Sequence, residues 1–284
     1  MKVAEHWKDY EIIATGDGQK LERWGNVVLL RPDPQIIWRS DMDMENYSKL
    51  NAVYKRYSDG GGKWLTKKNF PDNWTIRYKN HTFMIKPTGF KHTGLFPEQA
   101  VNWDMMERLI KNSGNVSVLN LFAYTGAASV VCAKAGASVT HVDAAKGMVE
   151  RAKENARLNN IDNIRYIIDD CLKFVTREKK RGNYYDAIIM DPPSYGRGPN
   201  GEMWKLEDNI FELAKSCAEL LSPTPLFYLI NSYTTGLQPS VMGNILKLVT
   251  KKFLGHIEAY EVVLPTKEGI VLPCGASAVF IGDR

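Results

Sequence analysis

The chain has 284 residues, 44% hydrophobic and 24% charged, a balance that builds a buried core and has room for about two domains. It holds no run of ~18 apolar residues, which excludes a membrane-spanning helix. The N-terminus, MKVAEHWKDYEIIATG, has neither an apolar stretch nor a small-residue cleavage site, which argues against secretion and for a cytoplasmic location.

Four cysteines, Cys132, Cys171, Cys217 and Cys274, are far apart, with no CxxC and no Cys/His cluster. Reduced thiols and no metal site are expected. The net charge of +5 is mild but uneven: residues 1–100 carry 16 Lys and Arg against 12 Asp and Glu, the rest 21 against 20. Trp7, Trp24, Trp38, Trp64 and Trp74 share that first segment. Basic charge interleaved with aromatics suits phosphate neutralisation and base stacking. A tryptophan-lined core under a solvated basic face accounts for the same composition.

In chain order, residues 26–30, 74–78 and 82–85 are short alternating runs separated by the turn-rich TGDGQK, RPDPQ and SDGGGK. They predict a small β-rich domain over residues 1–80, with a mobile loop at 59–63, and a connecting segment over 81–115. From residue 116 the texture changes. Residues 116–122 (VSVLNLF) are a continuous apolar run, as in a strand buried on both faces, and an Ala-rich helix at 127–135 stops at Gly136. Strands at 138–143, 164–169, 185–191 and 226–232 then alternate with helices at 145–159, 172–181, 206–221 and 238–253. Strands at 256–264 and 276–282 close the chain with only a loop between them, an antiparallel hairpin at one edge. Parallel strands need right-handed crossovers, so the expected fold is α/β, a doubly wound, mostly parallel seven-stranded sheet over residues 116–284.

Ligands of such sheets bind beyond the carboxyl ends of the strands. Four successive ends here carry what an adenosyl ligand needs. Asn120, Tyr124, Thr125 and Gly126 lie in the turn after the first strand, where Gly126 allows a tight bend. Asp143 ends the second and can accept both ribose hydroxyls. Asp170, with Cys171 contributing through its backbone, follows the third and suits an adenine amino group. Asp191 ends the fourth. The first turn is glycine-poor: Phe122 and Tyr124 precede Gly126 where three spaced glycines are usual.

LNLFAYTGAASV, an Asp-ended second strand, ENARLNN, DDC and DPPS together resemble class I S-adenosylmethionine-dependent methyltransferases related to the ribosomal RNA large-subunit cytosine and guanine enzymes. FKHTGLFPEQAVNW is similar to the segment that precedes the catalytic domain in that group, so the likeness covers residues 80–284. It implies the class I methyltransferase fold, S-adenosylmethionine as cofactor, and RNA as partner, ribosomal RNA above all. By the same likeness Lys91, Thr93 and Gln99 line the cofactor cleft. The first 75 residues do not match the RNA-binding domain that many relatives carry.

For the acceptor, the stretch 229–235 (LINSYTT) has no cysteine where carbon-5 cytosine enzymes of this type place their thiolate, and Ser or Thr without an adjacent base is a far weaker nucleophile. Asp191, Pro192, Pro193 and Tyr195 instead resemble the catalytic turn of nitrogen methyltransferases, with the aromatic one place late. Arg197 in the following loop is a candidate phosphate contact. Cys274 is expected in a loop after the sixth strand, as a structural thiol or a catalytic one, and His92 is a weak candidate. The alternatives are a methyltransferase of a small molecule or protein side chain, a non-catalytic nucleic-acid-binding relative, and a dehydrogenase, which the missing GxGxxG disfavours.

Overall fold

The runs at 26–30, 74–78 and 82–85 become strands, and further strands form around them. In the computed structural model, which describes residues 1–57, 61–89, 91–197, 203–234 and 236–284, the first strands are β1 (Lys2–Val3), β2 (Tyr10–Gly16), β3 (Gln19–Trp24), β4 (Val27–Pro32), β5 (Ala52–Arg56) and β6 (Gly62–Thr66). β2 to β6 form one sheet in sequence order, with β4 and β5 parallel and the other pairs antiparallel. β7 (Trp74–Tyr78) and β8 (His81–Ile85) form a separate antiparallel pair. Of the loop expected at 59–63, residues 59 and 60 lie outside the described residues, and 62 and 63 begin β6.

The five tryptophans resolve as packing. Trp24 is fully buried. Trp7, Trp38, Trp64 and Trp74 are half-buried, and their indole N–H groups donate to Pro97 O, Thr15 Oγ1, Thr88 O and Trp24 O. Beneath them Arg31 makes a two-pronged contact with the buried Glu22 (2.6 and 2.8 Å), which also accepts from Tyr10 Oη at 2.6 Å.

The connecting segment contains a helix that was not expected, α1 (Ala100–Lys111), and the alternation then runs as expected: β9 (Ser117–Leu121), α2 (Ala127–Lys134), β10 (Ser138–Asp143), α3 (Lys146–Leu158), β11 (Ile164–Ile168), α4 (Cys171–Arg181) and β12 (Ala187–Met190). A small hairpin, β13 (Tyr195–Arg197) with β14 (Met203–Lys205), interrupts before α5 (Leu206–Ala218), β15 (Phe227–Ser232), α6 (Pro239–Val249), β16 (Gly255–Pro265) and β17 (Val271–Gly282). The Arg197 side chain and residues 198–202 lie outside the described residues.

The sheet runs β1-β16-β17-β15-β12-β9-β10-β11, so the strand order reverses between β9 and β12. The pairs from β11 to β15 are parallel, and β17 is antiparallel to β15. Seven strands are those expected. The eighth, β1, extends the edge because Ala4 N donates to Val263 O (3.0 Å). Alternate strand residues such as Leu119, Leu121, Ile188, Met190, Tyr228 and Ile230 join α4, α5 and α6 in one apolar core. One expectation shifts. β17 begins at Val271, so Cys274 lies within a strand and not in a loop, held by ladder pairing. By its internal contacts the chain divides into residues 2–101 with 263–274, and residues 102–262 with 275–284.

Candidate active site

The parallel registers align the strand ends. Leu121 pairs with Val142 and Met190, Val142 with Ile167, and Met190 with Ile230. One residue further, Phe122, Asp143, Ile168, Asp191 and Asn231 therefore lie along one row at the carboxyl edge, on both sides of the switch in strand order.

The turn after β9 explains its lack of glycine. Phe122, Tyr124 and Gly126 all have positive φ, at 55°, 50° and 79°. For an L-residue this backbone costs about 1–2 kcal/mol, and it persists only where the surroundings fix it. Here they do: Phe122 N–H donates to Cys171 Sγ (3.3 Å) and Tyr124 N–H to Asp143 Oδ2 (2.8 Å). Gly126 caps α2, and a Cβ there would stand 2.7 Å from Ala152 Cβ, so glycine lets α3 approach.

Asp143 is half-buried, and its other oxygen accepts from Ala145 N–H at 2.8 Å. Two backbone donors fix this carboxylate, which has lone pairs left for hydroxyl donors. Asp170 is the N-cap of α4, accepting from Lys173 N–H at 2.9 Å, and Asp169 pairs with Arg177. Cys171 is buried at the start of α4, and burial pushes its thiol far above the ordinary range. Asn120 is buried under the turn: its Nδ2 donates to Ser129 Oγ (2.9 Å), which meets His141 Nδ1 at 3.0 Å. Burial lowers the His141 pKa to about 4, so the ring is neutral. Thr125 is buried, and its carbonyl accepts from Asn155 Nδ2 (2.8 Å).

On the far side of the switch, Asp191 is half-buried and accepts from Asn231 Nδ2 at 3.0 Å. Pro192 is buried and Pro193 exposed. Tyr195, one place late for the usual turn, starts β13 and is 65% exposed, opposite Lys205. The hairpin is anchored by Trp204, whose indole N–H donates to Pro193 O (2.8 Å) and whose ring lies 6.5 Å from that of Phe122. Ser194 Oγ accepts from Thr234 Oγ1 at 2.6 Å.

Lys91, Thr93 and Gln99 belong to the first unit. Lys91 O accepts from Arg31 (2.9 Å), Thr93 O from Lys86 N–H (2.9 Å), and Gln99 N–H donates to Phe96 O (3.1 Å). His92 is held near pKa 4 by burial first and then by Arg31 and Lys91, so it is a neutral ring at pH 7. Cys132 and Cys217 are core residues. Cys274 donates to Leu272 O at 3.4 Å, and burial, followed by the negative Glu98, raises its thiol well above the usual range. That leaves it protonated and a poor nucleophile. Sequence reasoning missed Trp204 and the role of Asn231. The signal for Asn231 was a polar residue intruding on the apolar strand LFYLINS.

An acidic end on the second strand, a helix opening from the first, and a reversed hairpin inserted at the sheet edge define the methyltransferase version of the doubly wound fold, and the donor set fits an adenosyl ligand. Comparisons agree. A family model for S-adenosylmethionine-dependent methyltransferases matches residues 42–241. The solved SAM-dependent methyltransferase of Agrobacterium tumefaciens superposes with a TM-score of 0.91 at 33% identity, covering 98% of this chain and 91% of that one. Ribosomal RNA large subunit methyltransferase I of Shewanella frigidimarina is 35% identical over 194 residues, 65% of this chain and 45% of the relative. The K/L enzyme of Syntrophotalea carbinolica is 27% identical over 188 residues, 65% of this chain but 26% of its own length. The chain thus spans less than half of either curated relative.

The chain belongs to the S-adenosylmethionine-dependent methyltransferase family, and S-adenosylmethionine is its cofactor. Among the described residues no His, Cys, Asp and Glu cluster could hold a metal, and no helix is long and apolar enough to cross a membrane.

Proposed function

We propose that this methyltransferase acts on a nucleobase of RNA, ribosomal RNA foremost, by direct transfer. The observation that carries the reading is the Asp191-Pro192-Pro193 strand end, set in one row with Asp143 and served by no reactive thiol. The relatives named above as ribosomal RNA methyltransferases support the substrate.

In this reading Asp143 accepts the ribose hydroxyls. Asp170 and the Cys171 backbone meet the adenine, and Asn120, Tyr124, Thr125 and Gly126 shape the turn beside the methionine part, while Lys91, Thr93 and Gln99 are assigned to the cofactor by the sequence resemblance. S-adenosylmethionine, when bound, supplies an electrophilic methyl group. Asp191 orients the acceptor and accepts its N–H, Pro192 and Pro193 fix the turn, and Tyr195 offers an exposed ring for stacking. Positioning of this kind lowers barriers by about 7–11 kcal/mol in favourable cases without a nucleophilic side chain. Residues 1–80 hold the RNA backbone, for which Arg39, Lys49, Arg56, Lys63 and Arg77 are exposed, residues 81–115 connect, and residues 116–284 carry the cofactor.

The test is transfer of labelled methyl from the cofactor into unmodified ribosomal RNA, against protein and metabolite fractions. RNA affinity should fall on a log–log plot against salt with a slope of roughly −0.7 per single-strand phosphate contacted. Salt-independent binding, or label only in metabolites, sinks the RNA substrate. A covalent complex with 5-fluorocytosine RNA sinks the direct transfer.

A further inference from the structure

The second unit contains a buried polar network that reaches the site from behind. Asn231 on β15 and Ser277 on β17 are direct partners in register, and Asp191 falls beside Asn231 because Met190 pairs with Ile230. Asn231 and Ser277 alternate with the residues that enter the α4–α5–α6 core, and so sit on the opposite face of the sheet. There Asn102 of α1 joins them, and Tyr260 of β16 joins Asn102.

Four hydrogen bonds link the five residues. Tyr260 Oη donates to Asn102 Oδ1 at 2.6 Å, Asn102 Nδ2 to Ser277 Oγ at 3.0 Å, Ser277 Oγ to Asn231 Oδ1 at 2.8 Å, and Asn231 Nδ2 to Asp191 Oδ1 at 3.0 Å. Asn102 and Ser277 have no exposure, Asn231 is 1% exposed and Tyr260 5%, so Asp191 is the member that meets solvent.

The polarity follows from the carboxylate. An ionised Asp191 can only accept, so Asn231 must turn its amide nitrogen to it. The Asn231 oxygen then accepts from Ser277, whose oxygen accepts from Asn102, whose own oxygen takes the Tyr260 proton. One charge thus sets the sense of all four bonds, and every donor points toward it. Burial keeps the Tyr260 phenol protonated, and hence a donor. In a low-dielectric interior such chains polarise one another. A purely structural filling of this space with apolar side chains would avoid the desolvation of two amides and two hydroxyls.

We infer that Asn231, Ser277, Asn102 and Tyr260 are positioning residues for methyl transfer, a directed relay that holds Asp191 ionised and in one orientation toward the acceptor. The inference rests on Asp191 as the residue that receives the acceptor, and it concerns how that carboxylate is kept ready.

The experiment uses the full chain with Ser277→Ala, Ser277→Thr and Tyr260→Phe. It reads the Asp191 carboxyl by carbon-13 NMR titration, and kcat and KM for methyl transfer to unmodified ribosomal RNA transcript. Ser277→Ala should move the Asp191 titration to higher pH and shift the acidic limb of the rate profile the same way. It should lower kcat by about tenfold, with KM and cofactor affinity nearly unchanged. Ser277→Thr should restore both, and Tyr260→Phe should give the same changes, smaller, in a chain that loses one hydroxyl alone. A lowered melting temperature with the titration and pH profile unmoved in Ser277→Ala and Tyr260→Phe overturns the relay. If the wild-type chain transfers no methyl to RNA, the RNA reading fails by itself, and the carboxyl titration still decides the relay.

Discussion

Both units of this protein bury a polar network, and the two are built to opposite ends. In the N-terminal unit Glu22 accepts from Arg31 twice and from Tyr10, with Lys20 at 3.6 Å. Burial alone would raise the Glu22 carboxyl, but the charges of Arg31 and then Lys20 outweigh it and hold the group at about 2. Cation and anion neutralise each other within this network. In the other unit four donors run one way into the Asp191 carboxylate at the sheet edge. The first network closes on an ion pair; the second runs toward a single carboxylate.

Breaking the closed network has the largest expected effect. Arg31→Ala takes the two-pronged partner from the buried Glu22, leaving it only Tyr10 and the longer Lys20 contact, and should cost about 3 kcal/mol of stability, read from urea unfolding. Because the folded Glu22 pKa is depressed, its contribution is complete above about pH 4.5 and disappears as pH falls toward 2. The slope of stability against pH in that window should be reduced in Arg31→Ala, where only Lys20 and Tyr10 still hold the carboxylate.

Next comes Asp143, the proposed cofactor end of the row of strand ends. Asp143→Ala removes the acceptor of the Tyr124 and Ala145 N–H groups and, on the proposed assignment, the two ribose contacts. It should weaken S-adenosylmethionine binding by about 3 kcal/mol, some two orders of magnitude in Kd by calorimetry. Unchanged affinity in a folded variant removes the ribose assignment.

A smaller effect concerns the neutral rings. Burial depresses His141 to about 4, so the unfolded chain takes up a proton near pH 6.5 that the folded chain refuses. Stability should therefore fall as pH drops from 6.5 to 4, and His141→Gln should flatten that part of the curve. His92, held at about 4 in the other unit, adds to the same window and should survive as the residual slope. The smallest change is expected from Cys274→Ser. With the thiol protonated inside β17, turnover should stay within about twofold. A large loss of turnover in a folded Cys274→Ser chain would make the thiol catalytic.

Much of the fold was legible because it is written locally. Strand–helix alternation, the Gly136 stop and the Asp-ended strands follow from periodicity and turn chemistry over a few residues, and they yielded the sheet and its acidic ends. The edge was less legible. Periodicity began the last strand at Ala276, but ladder pairing extends it back to Val271 and takes Cys274 out of the loop. The tryptophans were ambiguous for a related reason: composition cannot tell a stacking surface from a core, and the indole donors to neighbouring carbonyls and a hydroxyl show the core.

The sequence by itself determined the main strands and helices after residue 116, the doubly wound class and the acidic residues at the strand ends, since each depends on neighbours close along the chain. It showed a turn poor in glycine, yet only the tertiary structure revealed that Phe122 and Tyr124 adopt positive φ, because Cys171 and Asp143 hold their N–H groups from other strand ends. Asn231 was visible as a residue that is not cysteine. Its place in a chain of donors was decided by the sheet, which pairs it with Ser277, and by α1, whose Asn102 meets Ser277 across 175 residues of sequence. Hydrogen bonds act over about 3 Å in space whatever the distance along the chain, so a relay of this kind has no local pattern to read.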